Sequence, residues 1–407
     1  MATSSAFAEL RALTRDQRNA VIASFLGWTL DAFDFFLMTF VLSNIAHDFA
    51  ATVKDVAYGI SLTLAMRPVG AFLFGYLADR YGRRPILMFD ILLYTALELA
   101  SAFAPSLTVL LILRALFGIA MGGEWGIGSS LTMETVPPRV RGVVSGFLQE
   151  GYATGFLLAS IANFLVVPHY GWRGMFIVGA IPALLVVYIR FSVKESPSWQ
   201  AKRHSGGQVF GAITKNWKLF LYTIAMMACF NSFSHGSQDL YATFLTLQHH
   251  FTPSMVSTVL IIANIGAIAG GISFGAYSET IGRRRAIIAA ALLTLPLIPV
   301  WAYSTSVAGL AIGAFLMQFM VQGAWGVVPV HLNEMAPDDA RGTFPGFTYQ
   351  LGNFLISLAA PIQVGIATSH GGDYRLALGG TIAVVATCLV TVVGLGHERK
   401  GVIFGRS

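Results

Sequence analysis

Charge is what this sequence has least of. Asp, Glu, Lys and Arg make up only 11% of the 407 residues, and 55% are hydrophobic. A soluble domain carries about 25% charged residues. With a mean hydropathy of +0.66, the balance excludes a chain whose surface faces water. Cysteine is nearly absent. Cys229 and Cys388 both fall in apolar runs and read as small apolar fillers, so no disulfide framework is implied. The chain has no Asn-x-Ser/Thr acceptor, no G-x-x-x-x-G-K-[ST] loop and no H-E-x-x-H pair. Neither an ATP-driven machine nor a metalloprotease fits, and no cofactor or metal site is read from the chain. Short segments of period-two alternation are missing too, which argues against a membrane β-barrel.

What is present is a series of long apolar runs, each near the roughly 20 residues that carry a helix across a bilayer. Twelve are read: 20–46, 55–78, 86–104, 107–133, 141–168, 172–192, 218–247, 255–280, 286–304, 307–333, 342–368 and 375–396. The fold class expected is an all-α membrane protein. A polar, basic stretch precedes the first run, which is long enough to span and is not read as a cleavable signal. With both termini placed in the cytoplasm, 21 of the 26 Lys and Arg fall on the cytoplasmic side. The outside keeps only Lys54, Arg173 and Arg375. The net charge of +6 is then topological and needs no nucleic-acid partner. Short outer loops without acceptor sites lean towards a bacterial plasma membrane. A polar stretch at 194–217 divides the spans six and six, so the halves are taken as 1–193 and 218–407.

The chain says the same thing twice. Gly75, Asp79, Gly82, Arg83 and Arg84 return 200 positions later as Gly275, Glu279, Gly282, Arg283 and Arg284. Phe33 answers Phe233. Gly123, Trp125 and Gly126 answer Gly323, Trp325 and Gly326. Glu134, Pro137, Arg141 and Gly142 answer Glu334, Pro337, Arg341 and Gly342. Two homologous halves in apolar text imply a secondary transporter with its site near the midplane.

An ionisable side chain at the centre of a span costs at least about 2.5–3.5 kcal/mol on insertion scales, so each needs a partner or a role. The candidates are Asp31, Asp34, Arg67, Glu98, Arg114, Glu124, Glu150, His235 and Asp239; Asp90 is read as near a helix end, solvated or paired there. In the seventh span Asn231, His235 and Asp239 follow at i, i+4 and i+8 and share a helix face, with Ser234 and Gln238 adjoining. That polar stripe is long enough to line a water-filled path. Arg67 interrupts the second span, where its counterpart is Ala267. A guanidinium facing a cavity is a fork for a carboxylate; the alternative is a structural ion pair with Asp31, Asp34 or Glu150. Arg114 is expected to pair with Glu98. Asp31 and Asp34 share a face at i, i+3, opposite Asn231 and Ser234 in the second half, so either they or His235 and Asp239 could carry a proton. Gln350 and Asn353, also at i, i+3, offer amide donors to a substrate oxygen.

These motifs resemble the major facilitator superfamily. The Gly75/Asp79/Gly82-Arg83-Arg84 string is similar to its signature between spans two and three, and 275–284 to the weaker second copy. Glu195-Ser-Pro197 is similar to its second signature. The resemblance implies that Gly75, Asp79, Arg83, Arg84, Glu279 and Arg283 latch the inner gate and do not bind substrate. Because Thr280 stands where Arg80 stands in the first copy, the second latch is expected to be looser. A narrower resemblance rests on the string from Asn231 to Thr243. It meets N-x-x-[S/T]-H-x-[S/T]-Q-D-x-x-x-T, a pattern of the fungal lactate/pyruvate–proton symporters in the sialate:proton symporter family. Residues 27–36, 122–126 and 349–353 look like the first, fourth and eleventh spans of that family. It implies that Arg67 binds the carboxylate.

The expectation is a twelve-helix symporter of a proton and a small monocarboxylate, lactate or pyruvate, acting as a monomer. Substrate would meet Arg67, Asn231, Gln238, Gln350 and Asn353. The proton would ride on His235 and Asp239, or on Asp31 and Asp34, with Glu150 a further candidate. The alternatives are a symporter of sialic acid or another organic acid and, from another class, a carboxylate sensor that does not transport. No nucleophile–base pair points to an enzyme.

Overall fold

The computed structural model describes residues 9–201, 206–357 and 359–404. Lys202, Arg203 and Arg406 of the charge count, and Ser205 of the linker, lie outside them. The described residues form helices joined by short turns. Among the described residues, nine helical segments are long and apolar enough to cross a membrane. One, Pro138–Ser192, runs 55 residues and so holds two spans. The seventh and eleventh spans are not among the nine. The seventh is made less apolar by Asn231 to Gln238, and the eleventh is divided, its first helix ending at Leu355. Large apolar side chains point outward around the bundle, as Phe164 at 78% exposure and Phe191 at 84% do. In a bilayer such a surface meets lipid.

The 200-residue offset survives folding. Val53–Tyr81 and Pro253–Ile281 are both unbroken helices of 29 residues. Short 3-10 turns follow at Pro138–Val140 and Asp338–Ala340. Gly82 and Gly282 end the paired helices at φ 112° and 98°, a region open to glycine and strained for other residues. A carboxylate sits against each: a Cβ at Gly82 would stand 2.3 Å from Glu195, and one at Gly282 2.6 Å from Glu398.

Several spans read as single runs are broken. Span one divides into Arg15–Phe40 and Leu42–Asp48, span four into Leu107–Met121 and Glu124–Thr135, and span five at Glu150. Span seven divides into Trp217–Gln238 and Tyr241–Leu247, span ten at Val327, and span eleven between Leu355 and Ala359. Apolar periodicity does not register an interruption of one or two residues. Glu150 and Asp239 both lie at such breaks, where free backbone groups need polar surroundings.

Asp90 corrects the reading from sequence. It lies inside Arg83–Ala102, fully buried, and neither carboxyl oxygen has a hydrogen-bond partner. The helix begins at Arg83, earlier than the apolar run suggests, so the residue is carried two turns in.

Close helix approach is set by glycine. A Cβ on Gly70 would stand 1.7 Å from the Ile119 carbonyl oxygen, and one on Gly122 2.2 Å from that of Arg67. Spans two and four therefore touch backbone to backbone, which small residues permit. The copy repeats it: Gly270 meets the Phe319 carbonyl at 2.0 Å.

Candidate functional site

Arg67 precedes Pro68 in span two and is 4% exposed. Its Nη2 lies 3.2 Å from Asp31 Oδ2, and the Phe35 ring packs 5.4 Å away. Of the three acids considered as partners, Asp31 holds the guanidinium. Glu150 instead points at the other half: a Cβ on Gly271 would come within 2.1 Å of its Oε1. Asp34 is fully buried and neither of its carboxyl oxygens has a hydrogen-bond partner. Glu98 and Arg114 pair as expected, at 2.7 Å, and Arg114 also donates to Ser101 at 2.6 Å.

The span-seven stripe forms as its spacing requires. His235 Nδ1 lies 3.1 Å from Asp239 Oδ2, with the two side chains 40% and 38% exposed. Asn231 is buried and donates to the Tyr349 carbonyl at 3.4 Å. Asn353 lies near the His235 ring and acts on it electrostatically. Gln350 is buried, its Oε1 unsatisfied. The stripe thus deepens from open Gln238 and Asp239 to closed Asn231.

Sequence reasoning missed the residues between these groups. Span ten supplies two glutamines. Gln238 donates to Gln318 at 2.8 Å, Gln318 to Ser237 at 3.1 Å, and Gln322 to Ser234 at 3.3 Å. Polar positions at i, i+4 in an otherwise apolar span were the available signal. Tyr152 and Tyr349 join the halves. Both feel the charges of Arg67 and Asp31, and Tyr152 feels Asp239 as well. The Tyr349 ring stands 4.8 Å from Trp125 and 5.7 Å from Trp325, and Trp28 covers Tyr152 at 5.5 Å. An aromatic wall therefore runs from the Arg67–Asp31 pair to the His235–Asp239 stripe.

At the arginine-rich face the halves are pinned together. Asp79 takes the Gly342 and Thr343 N–H groups at 2.7 and 2.9 Å and the Thr343 hydroxyl at 2.7 Å. A carboxylate at these N–H groups complements the helix that starts at Phe344. Asp79 also binds Arg83, which reaches Glu134. Gly75 allows the approach, since a Cβ there would stand 2.6 Å from Thr343 Cα. In the copy, Glu279 takes only the Gly142 N–H across the halves, and Arg283 binds Glu279 and Glu334 at 3.0 and 2.9 Å. Glu279 thus makes fewer cross-half bonds than Asp79. Val143 stands where Thr343 stands and has no hydroxyl, while exposed Arg80 lies against Tyr81. Arg84 works within its own half, donating to the Arg190 carbonyl at the end of span six.

A buried, paired arginine beside a polar stripe, under a face held shut by ion pairs, suits a solute held between two halves. The family profile described as sugar (and other) transporter matches residues 19–206 and again 208–395. The chain belongs to the sugar (and other) transporter family. This transporter is 30% identical to the sialic acid transporter NanX of Escherichia coli K12, over 95% of this chain and 96% of that one. It is 29% identical to a carboxylic acid transporter protein homolog of Saccharomyces cerevisiae, over 89% of this chain and 63% of the longer yeast protein. The solved structure of the proton:xylose symporter XylE superposes with a TM-score of 0.73 at 18% identity, covering 96% of this chain and 98% of that one. At that identity the likeness speaks for the fold, that of the major facilitator superfamily.

Proposed function

We propose that this transporter is a proton-coupled symporter of a small monocarboxylate, lactate or pyruvate. The observation that carries the reading is Arg67: a buried mid-span guanidinium already holding a carboxylate, Asp31, at 3.2 Å. A substrate carboxylate takes the place of Asp31, and Asp31 accepts a proton as it leaves, so anion and proton enter together. Gln350, Asn353, Asn231 and Gln238 orient the rest of the substrate, and His235 with Asp239 serves the proton on the second half. The residues 1–193 and 218–407 move as two bodies about the site, joined by 194–217, with Gly75, Asp79, Arg83, Arg84, Glu279 and Arg283 as the gate. With the arginine-rich face in the cytoplasm of a bacterium, the described conformation is closed inside. The transporter works as a monomer in the plasma membrane. Relatives named for a carboxylic acid and for sialic acid, itself a carboxylate, support an anionic substrate.

A second reading, a sialic acid or other hydroxyl-rich acid, is favoured by one observation. The Gln238, Gln318 and Gln322 amides with Ser234 and Ser237 form a wall suited to several hydroxyls. Purified protein in proteoliposomes, loaded in parallel with labelled lactate or labelled sialic acid and challenged with lactate, pyruvate, acetate, succinate and sialic acid, separates the two. Exchange with lactate and pyruvate but not sialic acid supports the first. Exchange with sialic acid alone supports the second, and exchange with none removes both.

A further inference from the structure

Apart from Asp79, Arg83 and Glu134 at the arginine-rich face, the described residues of spans one to four carry five fully buried carboxyls and two buried guanidiniums. The carboxyls are Asp31, Asp34, Asp90, Glu98 and Glu124; the guanidiniums are Arg67 and Arg114. Two ion pairs form, Arg67 with Asp31 and Arg114 with Glu98. Asp34, Asp90 and Glu124 are left over, and none of their carboxyl oxygens has a hydrogen-bond partner. An unpaired carboxylate buried away from water is costly and is relieved by taking a proton. The second half has no such cluster: Ala267, Ala290, Ile298, Ala314 and Ala324 stand opposite Arg67, Asp90, Glu98, Arg114 and Glu124. The duplicated scaffold folds without these charges, so their presence in one half is not a packing requirement.

Glu124 is the member placed to act. It opens the second helix of span four after the break at Gly122 and Gly123. Its carboxyl presses on span one at Gly27, one turn before Asp31, where a Cβ would come within 2.1 Å of Oε1. It also lines a small cavity with Ser24, Trp28, Trp125 and Ser129, beneath the aromatic wall of the site. The charges that act on it are those of Asp31 and Arg67. Those that act on Asp90 are Glu124 and Asp31. Tyr94, buried and with its hydroxyl unpartnered, lies among Asp34, Glu124, Asp31 and Asp90. Span four also brings Arg114, span three Glu98, and spans five and eleven Tyr152 and Tyr349 near the Arg67 end. Span six, packed on span three, offers Tyr188, which donates to Asn19 instead. Among the described residues no group of three acids, histidines or cysteines is arranged to hold a metal ion.

We propose that Glu124, backed by Asp90 and Tyr94, is a proton-holding site behind the Arg67–Asp31 pair that supplies Asp31 when a carboxylate displaces it. The step balances. Before loading, Asp31 is a carboxylate on Arg67 and Glu124 is a carboxylic acid. The substrate carboxylate takes Arg67, the Glu124 proton passes to Asp31, and one proton from the entry side refills Glu124. The loaded site holds one anion and one proton more than the empty one, with no change in net charge. Release on the other side reverses the order. The proposal rests on the symport reading above for the carboxylate that displaces Asp31 from Arg67.

The test has two arms. Infrared spectra of the purified protein at neutral pH read the C=O stretch of protonated carboxyls without any substrate. The band should fall in Glu124→Gln and again in Asp90→Asn. In proteoliposomes, Glu124→Gln, which cannot pass a proton to Asp31, should lose lactate accumulation driven by a pH gradient. Glu124→Asp should restore part of that accumulation. A protonated-carboxyl band unchanged in both variants overturns the proposal, and so does full pH-driven accumulation by Glu124→Gln. If the parent protein moves no lactate, the symport reading fails while the infrared arm still decides whether the cluster holds protons.

Discussion

Arg67 concentrates the functional argument in one side chain. Its fork can pass from Asp31 to a substrate carboxylate because both offer the same two oxygens. Lysine would keep the charge and lose the bidentate geometry. A hydrogen bond to a charged group contributes about 1.5–3 kcal/mol, so Arg67→Lys is expected to weaken lactate binding by roughly 10- to 100-fold. Arg67→Ala should abolish it. Calorimetry on the detergent-purified protein measures both, and near-parental affinity in Arg67→Ala would remove the assigned role. Asp239 differs, being open to the cavity at the end of its helix. Asp239→Asn should insert and fold as the parent does, because an exposed amide replaces an exposed carboxylate. It should lose acid-driven uptake while keeping counterflow. If Asp239→Asn accumulates lactate under a pH gradient as the parent does, His235 and Asp239 carry no proton.

At the scale of the element, helix contacts position the site. Gly122 lets span four lie on the backbone of span two at Arg67 itself, 2.2 Å from a Cβ to the carbonyl oxygen and 2.9 Å to the Ala71 nitrogen. Backbone atoms cannot turn aside as a side chain does. Gly122→Ala must therefore push the spans apart at a cost of about 1–3 kcal/mol, the range for overpacking, and tilt Arg67 away from Asp31. The expected result is a lower melting temperature together with weaker lactate binding, although residue 122 touches no substrate. A control at Gly380, where an added Cβ meets nothing within 4 Å, should leave both unchanged. Equal effects at the two positions would show that helix approach at Gly122 is not what holds the site.

For the whole molecule the question is how the halves close. The chain's last described segment takes part. Phe404 lies between the guanidiniums of Arg141 and Arg341, one from each half, at 3.6 and 3.9 Å. Arg141 donates to the Val402 carbonyl at 2.7 Å, and the Gly401 N–H donates to Glu334 at 3.2 Å. Stacking on an aromatic face contributes about 0.5–2 kcal/mol, enough to bias an equilibrium between closed and open. Spin labels at exposed Tyr81 and Thr280, ends of spans two and eight, report the gap by pulsed electron resonance. Phe404→Ala should spread that distance distribution to longer values, and an unchanged distribution would assign the tail no part in closure. Transport itself should be electroneutral, one anion with one proton. A membrane potential is worth about 2.3 kcal/mol per charge per 100 mV. A potassium–valinomycin potential at equal pH should therefore drive little lactate uptake, and strong uptake would mean more than one proton per substrate.

Much of this was legible in the linear chain because it depends on composition and period. Long apolar runs specify membrane helices whatever their neighbours, since in lipid the backbone must satisfy itself. The 200-residue repeat carried over to equal helix lengths and paired left-handed glycines because the same local sequence meets the same local constraints. The pairing of His235 with Asp239 also follows from spacing, being a contact within one helix. What the sequence could not determine is where separate helices meet. That Arg67 takes Asp31 rather than Asp34 or Glu150, that Asp90 is buried, and that Gln318, Gln322, Tyr152 and Tyr349 complete the polar lining all depend on helix rotation and approach. These are set by glycine contacts far apart in sequence. Glu279 makes fewer cross-half bonds than Asp79 for the same reason: the hydroxyl that Thr343 offers Asp79 comes from the opposite half, Val143 in its place has none, and only packing brings such partners within reach.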